Sequence, residues 1–324
     1  MAELRWNPFI KDWVMIASHR QDRPQMPKNW CPFCPGSGKV PDNYDILQYD
    51  NDFPALSFTP PECDPVDTDF FKTKPAYGKC EVILYSSKHN SSLSELSVPH
   101  VSKLVDLWKQ RYEELSKDEK VKYVFIFENR GVVVGVTMPH PHGQIYAYSY
   151  IPKKLELELE AITEFKKDTG KCLHCENLRE EKTFARRIIH ENDSFVLFLP
   201  FYSEYPYGIQ IVSKRHMPSI SHLTEAEEKD LAEIVLIATG TLDCLFDLPF
   251  PYMMCFHNEP VNTGKETNWH FHIEFFPPMR SADKQKFNAS SETGAWAHCN
   301  TTSPEDKVVD LRAACERYML KIQR

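Results

Sequence analysis

The residues best suited to chemistry lie in one stretch, Pro139-His140-Pro141-His142-Gly143-Gln144. A neutral imidazole can attack phosphorus near neutral pH or bind a metal, and the partner of its second nitrogen decides which. Each proline fixes its own φ and biases the preceding residue toward an extended conformation, so His140 and His142 are held at set angles. Gly143 is expected to leave room for a bulky group to approach. Gln144 adds an uncharged donor suited to phosphate oxygens. Strand-like runs flank the motif, 131–136 before it and 144–148 after it.

Four of the ten cysteines form two pairs of the spacing C-x2-C, Cys31/Cys34 and Cys172/Cys175. The first pair is followed by His89 and then His140, the second by His216 and then His270. Two cysteines with two histidines make a set suited to tetrahedral zinc, and four protein ligands leave no open position, so both sites are expected to be structural. A single C-x2-C is weak, but its recurrence in the same order with the histidines is specific. A zinc deaminase would need H-x-E ahead of its cysteines, an order absent here. With His140 committed to metal, His142 is the histidine left to face a substrate. In the second His-x-His, His272 is followed by Ile273-Glu274 instead of Gly-Gln, so one working nucleophile is expected, in the first half.

These residues need elements to hold them. The pattern predicts a short strand at 13–16, a long irregular loop around 51–56, a strand at 80–85 and a helix over 97–116. A strand at 123–127 leads to the central motif, and a helix follows near 156–160. The plan then repeats. Tyr77-Gly78-Lys79-Cys80-Glu81-Val82-Ile83, followed by Lys88-His89, is echoed by Tyr207-Gly208-Ile209-Gln210-Ile211-Val212, followed by Lys214-Arg215-His216. A second helix opens with the capping box Thr224-Glu225-Ala226-Glu227, strands are expected at 252–257 and 270–276, and a last helix runs from Ser303-Pro304 to about 320. The reading is an internal duplication: an α+β fold of two halves, 1–165 and 166–324, each an antiparallel sheet backed by helices.

The 324 residues, 42% of them hydrophobic, suffice for a large core. With 38 basic and 46 acidic residues the net charge is -8, which argues against a broad nucleic-acid or anionic-membrane surface. An anionic substrate must therefore be met locally. The first residues carry no apolar run of signal length and no stretch is long enough to span a bilayer, so a cytoplasmic protein is expected.

Cys31-x2-Cys34, His89, and Asn129 through the Pro-His-Pro-His-Gly-Gln motif, on a duplicated plan, resemble the galactose-1-phosphate uridylyltransferase family of the histidine-triad superfamily. The resemblance implies a ping-pong reaction in which a histidine takes UMP from UDP-glucose and passes it to galactose 1-phosphate. It places the nucleophile on His142 and the phosphate-bonding amide on Gln144, with the carbonyl of His140 holding the other ring nitrogen. Uridine contacts map to Phe33, Asn51, Asp52, Phe53, Val82 and Asn129, a phosphate-side hydroxyl to Thr137, and an arginine pair to Arg20 and Arg23. The sugar side maps to Lys286, Phe287 and Glu292 of a neighbouring subunit, which implies a homodimer. Ser290-Ser291 departs from the glycine or aromatic residue of many relatives, which leaves hexose preference open. Some relatives build the second metal site from a glutamate and three histidines, which would be Glu158, His257, His270 and His272. The cysteine pair favours Cys172, Cys175, His216 and His270, with Glu158 read as a charge on a solvated helix face and His257 as a polar strand end. Two other functions stay open: a nucleoside-diphosphate-sugar phosphorylase such as an ADP-glucose phosphorylase, and a non-catalytic, zinc-stabilised nucleotide-binding protein.

Overall fold

The computed structural model describes residues 2–22 and 30–323. In chain order the strands and helices are β1 (Glu3–Asn7), β2 (Asp12–Ile16), β3 (Leu47–Asp50), β4 (Thr73–Pro75), β5 (Gly78–Leu84), α1 (Val98–Ser116), β6 (Tyr123–Arg130) and β7 (His142–Tyr148). They continue with α2 (Lys153–Thr169), α3 (Leu173–Phe184), β8 (Ile188–Glu191), β9 (Phe195–Phe198), β10 (Gln210–Ser213), α4 (Glu225–Asp243), β11 (Tyr252–His257), β12 (His272–Phe275), α5 (Ser290–Ala295) and α6 (Pro304–Ile322).

Nine strands form one sheet in the order β3-β5-β7-β6-β11-β12-β10-β9-β8, every pairing antiparallel. The seam is β6 against β11, so strands from early and late in the chain share one ladder. Strand β1 pairs with β2 and β4 in a separate small sheet. The fold is α+β, as the sequence predicts.

Alternation along the strands sorts the side chains onto two faces. Ile83, Val124, Ile126, Ile145, Ala147, Ile273 and Phe275 enter the main core with α1, α4 and α6. Residues of the opposite parity, among them Tyr123, Tyr146 and Tyr148, pack on the other face with Leu155 and Ile162 of α2. His142 and Gln144 share the parity of Tyr146 and therefore lie on the face turned away from α1 and α4.

The helices form where the sequence supplies both a cap and a stripe. Ser97 caps α1 at the His100 amide, and Val101, Leu104, Val105, Trp108, Tyr112 and Leu115 are all buried. In α4 the Thr224 hydroxyl accepts from the Glu227 amide while the Glu227 carboxylate accepts from the Thr224 amide, the expected capping box. Between its ends α4 is apolar nearly all round because it is sandwiched by the sheet, α1 and α6. Arg111 of α1 grips the buried Glu81 of β5 with two hydrogen bonds of 2.9 and 2.7 Å, which ties helix to sheet.

Two expectations are corrected. The run 131–136 is not a strand: β6 stops at Arg130, Gly131 and Gly135 take φ of 99° and 82°, and a single 3-10 turn over Val132–Val134 leaves Val132 86% exposed. Positive φ at both glycines breaks the ladder, so a valine run that reads as strand becomes the rim of a loop. The strand expected at 270–276 is shorter, and His270 lies ahead of it, as His140 lies ahead of β7.

Mid-helix Gly240 is required by packing, since a Cβ there would lie 2.1 Å from the Tyr318 ring of α6. Gly240→Ala should lower the unfolding free energy by about 1–3 kcal/mol despite alanine's better helix propensity. Chemical denaturation measures this, and combination with Tyr318→Leu should recover part of the loss.

Candidate active site

His142 opens β7, and its Nδ1–H donates to the backbone oxygen of His140 at 2.7 Å. A carbonyl only accepts, so Nδ1 carries the proton and Nε2 carries the lone pair. The ring is half-buried, 6.2 Å from the Phe33 ring between centroids. It lines a cavity of about 510 Å³ together with Asn129 and Thr137.

Gln144 lies between Val82 of β5 and Phe127 of β6 in the ladder. The Tyr146 hydroxyl donates to Gln144 Oε1 at 3.4 Å and accepts from Arg20 Nη1 at 3.3 Å. That chain turns the carbonyl end of Gln144 toward Tyr146, and brings Arg20 to the same face. Phe33 and Val82 are buried in one small cluster with Cys31, Tyr44 and Leu84. The 51–53 turn is fixed at that edge: the Asn51 amide donates to Cys80 O at 3.2 Å, its side chain accepts from the Phe53 amide at 2.9 Å, and Asp52 accepts from the Tyr49 hydroxyl. Arg23 lies outside the described residues.

Lys286, Phe287 and Glu292 do not join this group. Lys286 Nζ is 3.8 Å from Glu292, 3.2 Å from Asn288 Oδ1 and over the Tyr205 ring, all in the second half, while Phe287 is 68% exposed.

The cysteine-histidine groups assemble as the spacing predicts. The ligand atoms of Cys31, Cys34, His89 and His140 lie within 4.8 Å of one another, as do those of Cys172, Cys175, His216 and His270. Nδ1 of His140 is 3.8 Å from both sulfurs, and Nδ1 of His89 is 3.4 Å from Cys34 Sγ. In the second group the corresponding separations are 3.4–3.8 Å. A tetrahedral zinc with ordinary Zn–S and Zn–N bonds puts sulfur and nitrogen about 3.6 Å apart, so the donors fit that ion.

The far nitrogens support the same assignment. His140 Nε2 donates to Ser86 O at 2.7 Å beside the Tyr44 hydroxyl, and His270 Nε2 donates to Ser213 O at 2.8 Å, so each ring offers a bare Nδ1 to its cysteines. Burial pulls His140 down to about 4, which keeps it neutral. Burial and the neighbouring Cys31 push the Cys34 thiol up to about 11, so two thiolates at this spacing call for a cation.

The bland readings of Glu158 and His257 are wrong. His257 is buried and Glu158 largely so, Glu158 accepting from His257 Nδ1 at 2.9 Å and from His272 Nε2 at 3.0 Å, with His174 at 3.5 Å. His257 Nε2 reaches Glu274 at 3.1 Å, and Lys154 of α2 also pairs with Glu274. α2 lies across the sheet and turns Glu158 inward, which a count of charges along the helix does not show. His272 repeats the geometry of His142, its Nδ1 2.9 Å from the His270 oxygen, but its other nitrogen is spent on Glu158. The 2.9–3.1 Å contacts are those of hydrogen bonds, shorter than the roughly 3.4 Å edge of a tetrahedral zinc site with nitrogen and oxygen ligands.

Gly143 also differs from expectation. Its missing Cβ points to the helix side, where it would lie 2.2 Å from the Tyr85 hydroxyl, so the space belongs to Tyr85 and not to a ligand. Sequence reasoning missed Tyr85, Tyr44, Tyr146, His174 and Glu128. For Glu128 a signal existed: it has the helix-facing parity of Val124 and Ile126.

Fold and site together define a class of protein: a duplicated antiparallel sheet in which each half carries a His-x-His whose first ring joins a two-cysteine, two-histidine group and whose second ring is held by a carbonyl beside a cavity, with the second nitrogen bound to a carboxylate only in the later copy. Family models described as "Galactose-1-phosphate uridyl transferase, N-terminal domain" and "C-terminal domain" match residues 1–152 and 158–295. A galactose-1-phosphate uridylyltransferase of Thermotoga maritima is 40% identical over 314 residues, 96% of this chain and 98% of that one. One from Rattus norvegicus is 31% identical over 345 residues, 99% of this chain and 90% of that one. A solved structure described as a uridylyltransferase superposes with a TM-score of 0.89 at 30% identity, over 97% of this chain and 99% of the other. An ADP-glucose phosphorylase from Arabidopsis thaliana shares the fold, with a TM-score of 0.73 at 22% identity over 96% and 99%. The chain belongs to the galactose-1-phosphate uridylyltransferase family.

The enclosed network has a pH signature. Burial pulls His257 down, but the Glu274 and Glu158 carboxylates outweigh it and hold the ring up at about 9. A histidine raised in the folded state contributes stability that is complete below its unfolded value near 6.5 and is lost as pH rises through 9. Denaturation midpoints should therefore fall between about pH 6.5 and pH 9 in the parent. In His257→Gln the midpoint should be lower at neutral pH and the fall smaller.

Proposed function

We propose that this chain is a UDP-glucose:hexose-1-phosphate uridylyltransferase working through a covalent uridylyl-histidine on His142. The observation that carries the reading is the His142 Nδ1–His140 O bond, which sets a nucleophilic Nε2 on the strand that also bears Gln144. Nε2 attacks the α-phosphorus of UDP-glucose, the N–P bond forms, and the bond to the glucose 1-phosphate oxygen breaks. The leaving group departs with that electron pair as a phosphate and needs no general acid. The ring then carries a positive charge, which the His140 carbonyl dipole stabilises and which makes it a good leaving group for the second step. A phosphate oxygen of galactose 1-phosphate attacks, and the N–P electrons return to Nε2.

Gln144, Arg20 and the Thr137 hydroxyl supply donors for the non-bridging oxygens, with Arg23 as their expected companion. Phe33, Asn51, Asp52, Phe53, Val82 and Asn129 form the uridine side. Lys286, Phe287 and Glu292, remote from His142 in their contacts, are the segment that a partner subunit would supply, which supports a homodimer. The two halves are read as 1–165 and 166–324.

Zinc, when bound to the two cysteine-histidine groups, supplies cross-links and no reactive ligand position. The protein's own part is to hold His140, and through it the carbonyl that orients His142. Among the described residues no helix is long and apolar enough to cross a membrane. The ten cysteines are all unpaired by disulfides, which supports a reducing, cytoplasmic setting.

Two measurements test this. Incubation with UDP-glucose should add a UMP-sized mass to the chain, and His142→Asn should lose both the adduct and exchange while keeping its zinc and its circular dichroism; exchange surviving in that variant would refute the assignment. Metal analysis should find close to two zinc per chain, and Cys175→Ser should remove about one of them. A parent value near one would leave the second group without its ion.

A further inference from the structure

On β6, beside the strand that carries His142, lies a buried acid that lines the same cavity as His142 and that the reaction above does not use. Glu128 is 5% exposed and accepts from the Tyr252 hydroxyl at 3.1 Å through Oε1, while among the described residues no donor reaches Oε2. The Tyr85 hydroxyl is its other neighbour. Arg130, two residues along β6, is the nearby cation, but its guanidinium is bound to Asp243 at 2.7 Å and lies over the Tyr252 ring. Asp243 is further occupied by the Ser94 hydroxyl and the Phe250 amide.

Tyr85 touches the motif on both sides of the nucleophile. Its amide donates to Pro141 O at 3.0 Å, and its hydroxyl fills the place of a Cβ on Gly143. Residues 141 and 143 are therefore set by one tyrosine, and His142 is the residue between them. The second half has no such device, since Ile273, fully buried, stands where Gly143 does.

We propose that Glu128 is a positioning residue for His142: as a neutral acid it steadies the Tyr85 hydroxyl under Gly143 and so fixes the backbone on which the nucleophile turns. The inference rests on the reading of His142 as the uridylyl acceptor. A proton on the carboxyl makes Glu128 a donor beside the Tyr85 hydroxyl, which answers the lack of a donor at Oε2. Burial pushes the Glu128 carboxyl up to about 7, with Asp243 adding to the rise and with Arg130 and the hydroxyls of Tyr252 and Tyr85 opposing it. Above that pH the acid becomes a buried charge whose nearby cation, Arg130, is already bound to Asp243, and the support of Tyr85 changes from acid to carboxylate.

The test is the single-turnover rate of UMP transfer from UDP-glucose to the enzyme, followed by intact mass at about pH 6 and about pH 8.5, in the parent, Glu128→Gln and Glu128→Ala. An amide cannot ionise, so Glu128→Gln should keep at least about half the parent rate at the lower pH and lose much less than the parent on going to the higher one. Glu128→Ala, with zinc content and circular dichroism like the parent, should be slower about ten- to a hundredfold at both pH values, as expected for a misplaced nucleophile. Superimposable pH profiles for parent and Glu128→Gln, or parent-like rates in Glu128→Ala, overturn the proposal; should the alanine variant not fold, the glutamine comparison decides alone. A parent that never acquires the adduct refutes the nucleophile assignment instead, and this inference with it.

Discussion

The hydrogen bond from His142 Nδ1 to the His140 carbonyl governs the site, because it fixes at once which nitrogen carries the lone pair and how the ring is turned. It spans only one intervening residue, Pro141, so its length depends on where the His140 carbonyl is held. That carbonyl belongs to a residue whose ring is fixed at both nitrogens, Nε2 to Ser86 O and Nδ1 toward Cys31 and Cys34. The cysteine-histidine group is thus an anchor for the His142 ring. Two adjacent rings divide the work: one is immobilised, and its main chain orients the other.

The second half shows what else that backbone device needs. His270 and His272 reproduce the bond at 2.9 Å, and His270 is anchored in the same way to Ser213 and to Cys172 and Cys175. The surroundings then diverge. Glu274 stands in the position of Gln144, and Glu158 engages the nitrogen of His272 that would have to attack. A carboxylate opposite a phosphoryl group repels it, and a ring nitrogen committed to an ion pair is no nucleophile. The duplication has kept the geometry and changed the electrostatics, which is why the proposed chemistry is assigned to the first half. Ion pairs among Glu158, His257, Glu274 and Lys154 hold together what would otherwise be a cluster of uncompensated buried charge.

Much of this was legible in the residues. Cysteine pairs followed in order by the same histidines gave both cysteine-histidine groups, and the strand-helix periodicity gave α1 and β11 to within a residue and located β5, β6 and the start of α4, since these elements combine a cap or turn with an apolar stripe. What failed was whatever depends on distant elements. The valine run after Gly131 has strand propensity but no neighbouring strand to pair with, and positive φ at two glycines turns it into a loop. Glu158 looks solvated on its own helix and is enclosed only because β11 and β12 present His257 and His272 to it. Gly143 was legible as a place where something bulky approaches, but not on which face; strand parity, once β7 is placed, turns it to the helix side.

That parity also explains why polar packing behind β7 is informative. A strand whose even residues face substrate must rest its odd residues on the core, and the second half does so with Ile273 and Phe275, an apolar solution that needs no hydrogen bonds. On the first half the same layer holds a glycine, a tyrosine hydroxyl and a carboxyl group with one oxygen unserved. Burying such an acid without a full set of partners costs on the order of 1–3 kcal/mol, whereas an isoleucine in that layer stabilises by a similar amount. Contrast with Glu81 sharpens the point, since that buried carboxylate has both oxygens bound by Arg111 and needs no further account. Stability alone would favour the apolar arrangement on both halves. The polar one occurs behind the strand that carries His142, where a tyrosine amide and hydroxyl can grip the backbone at two points, something a hydrocarbon side chain cannot do.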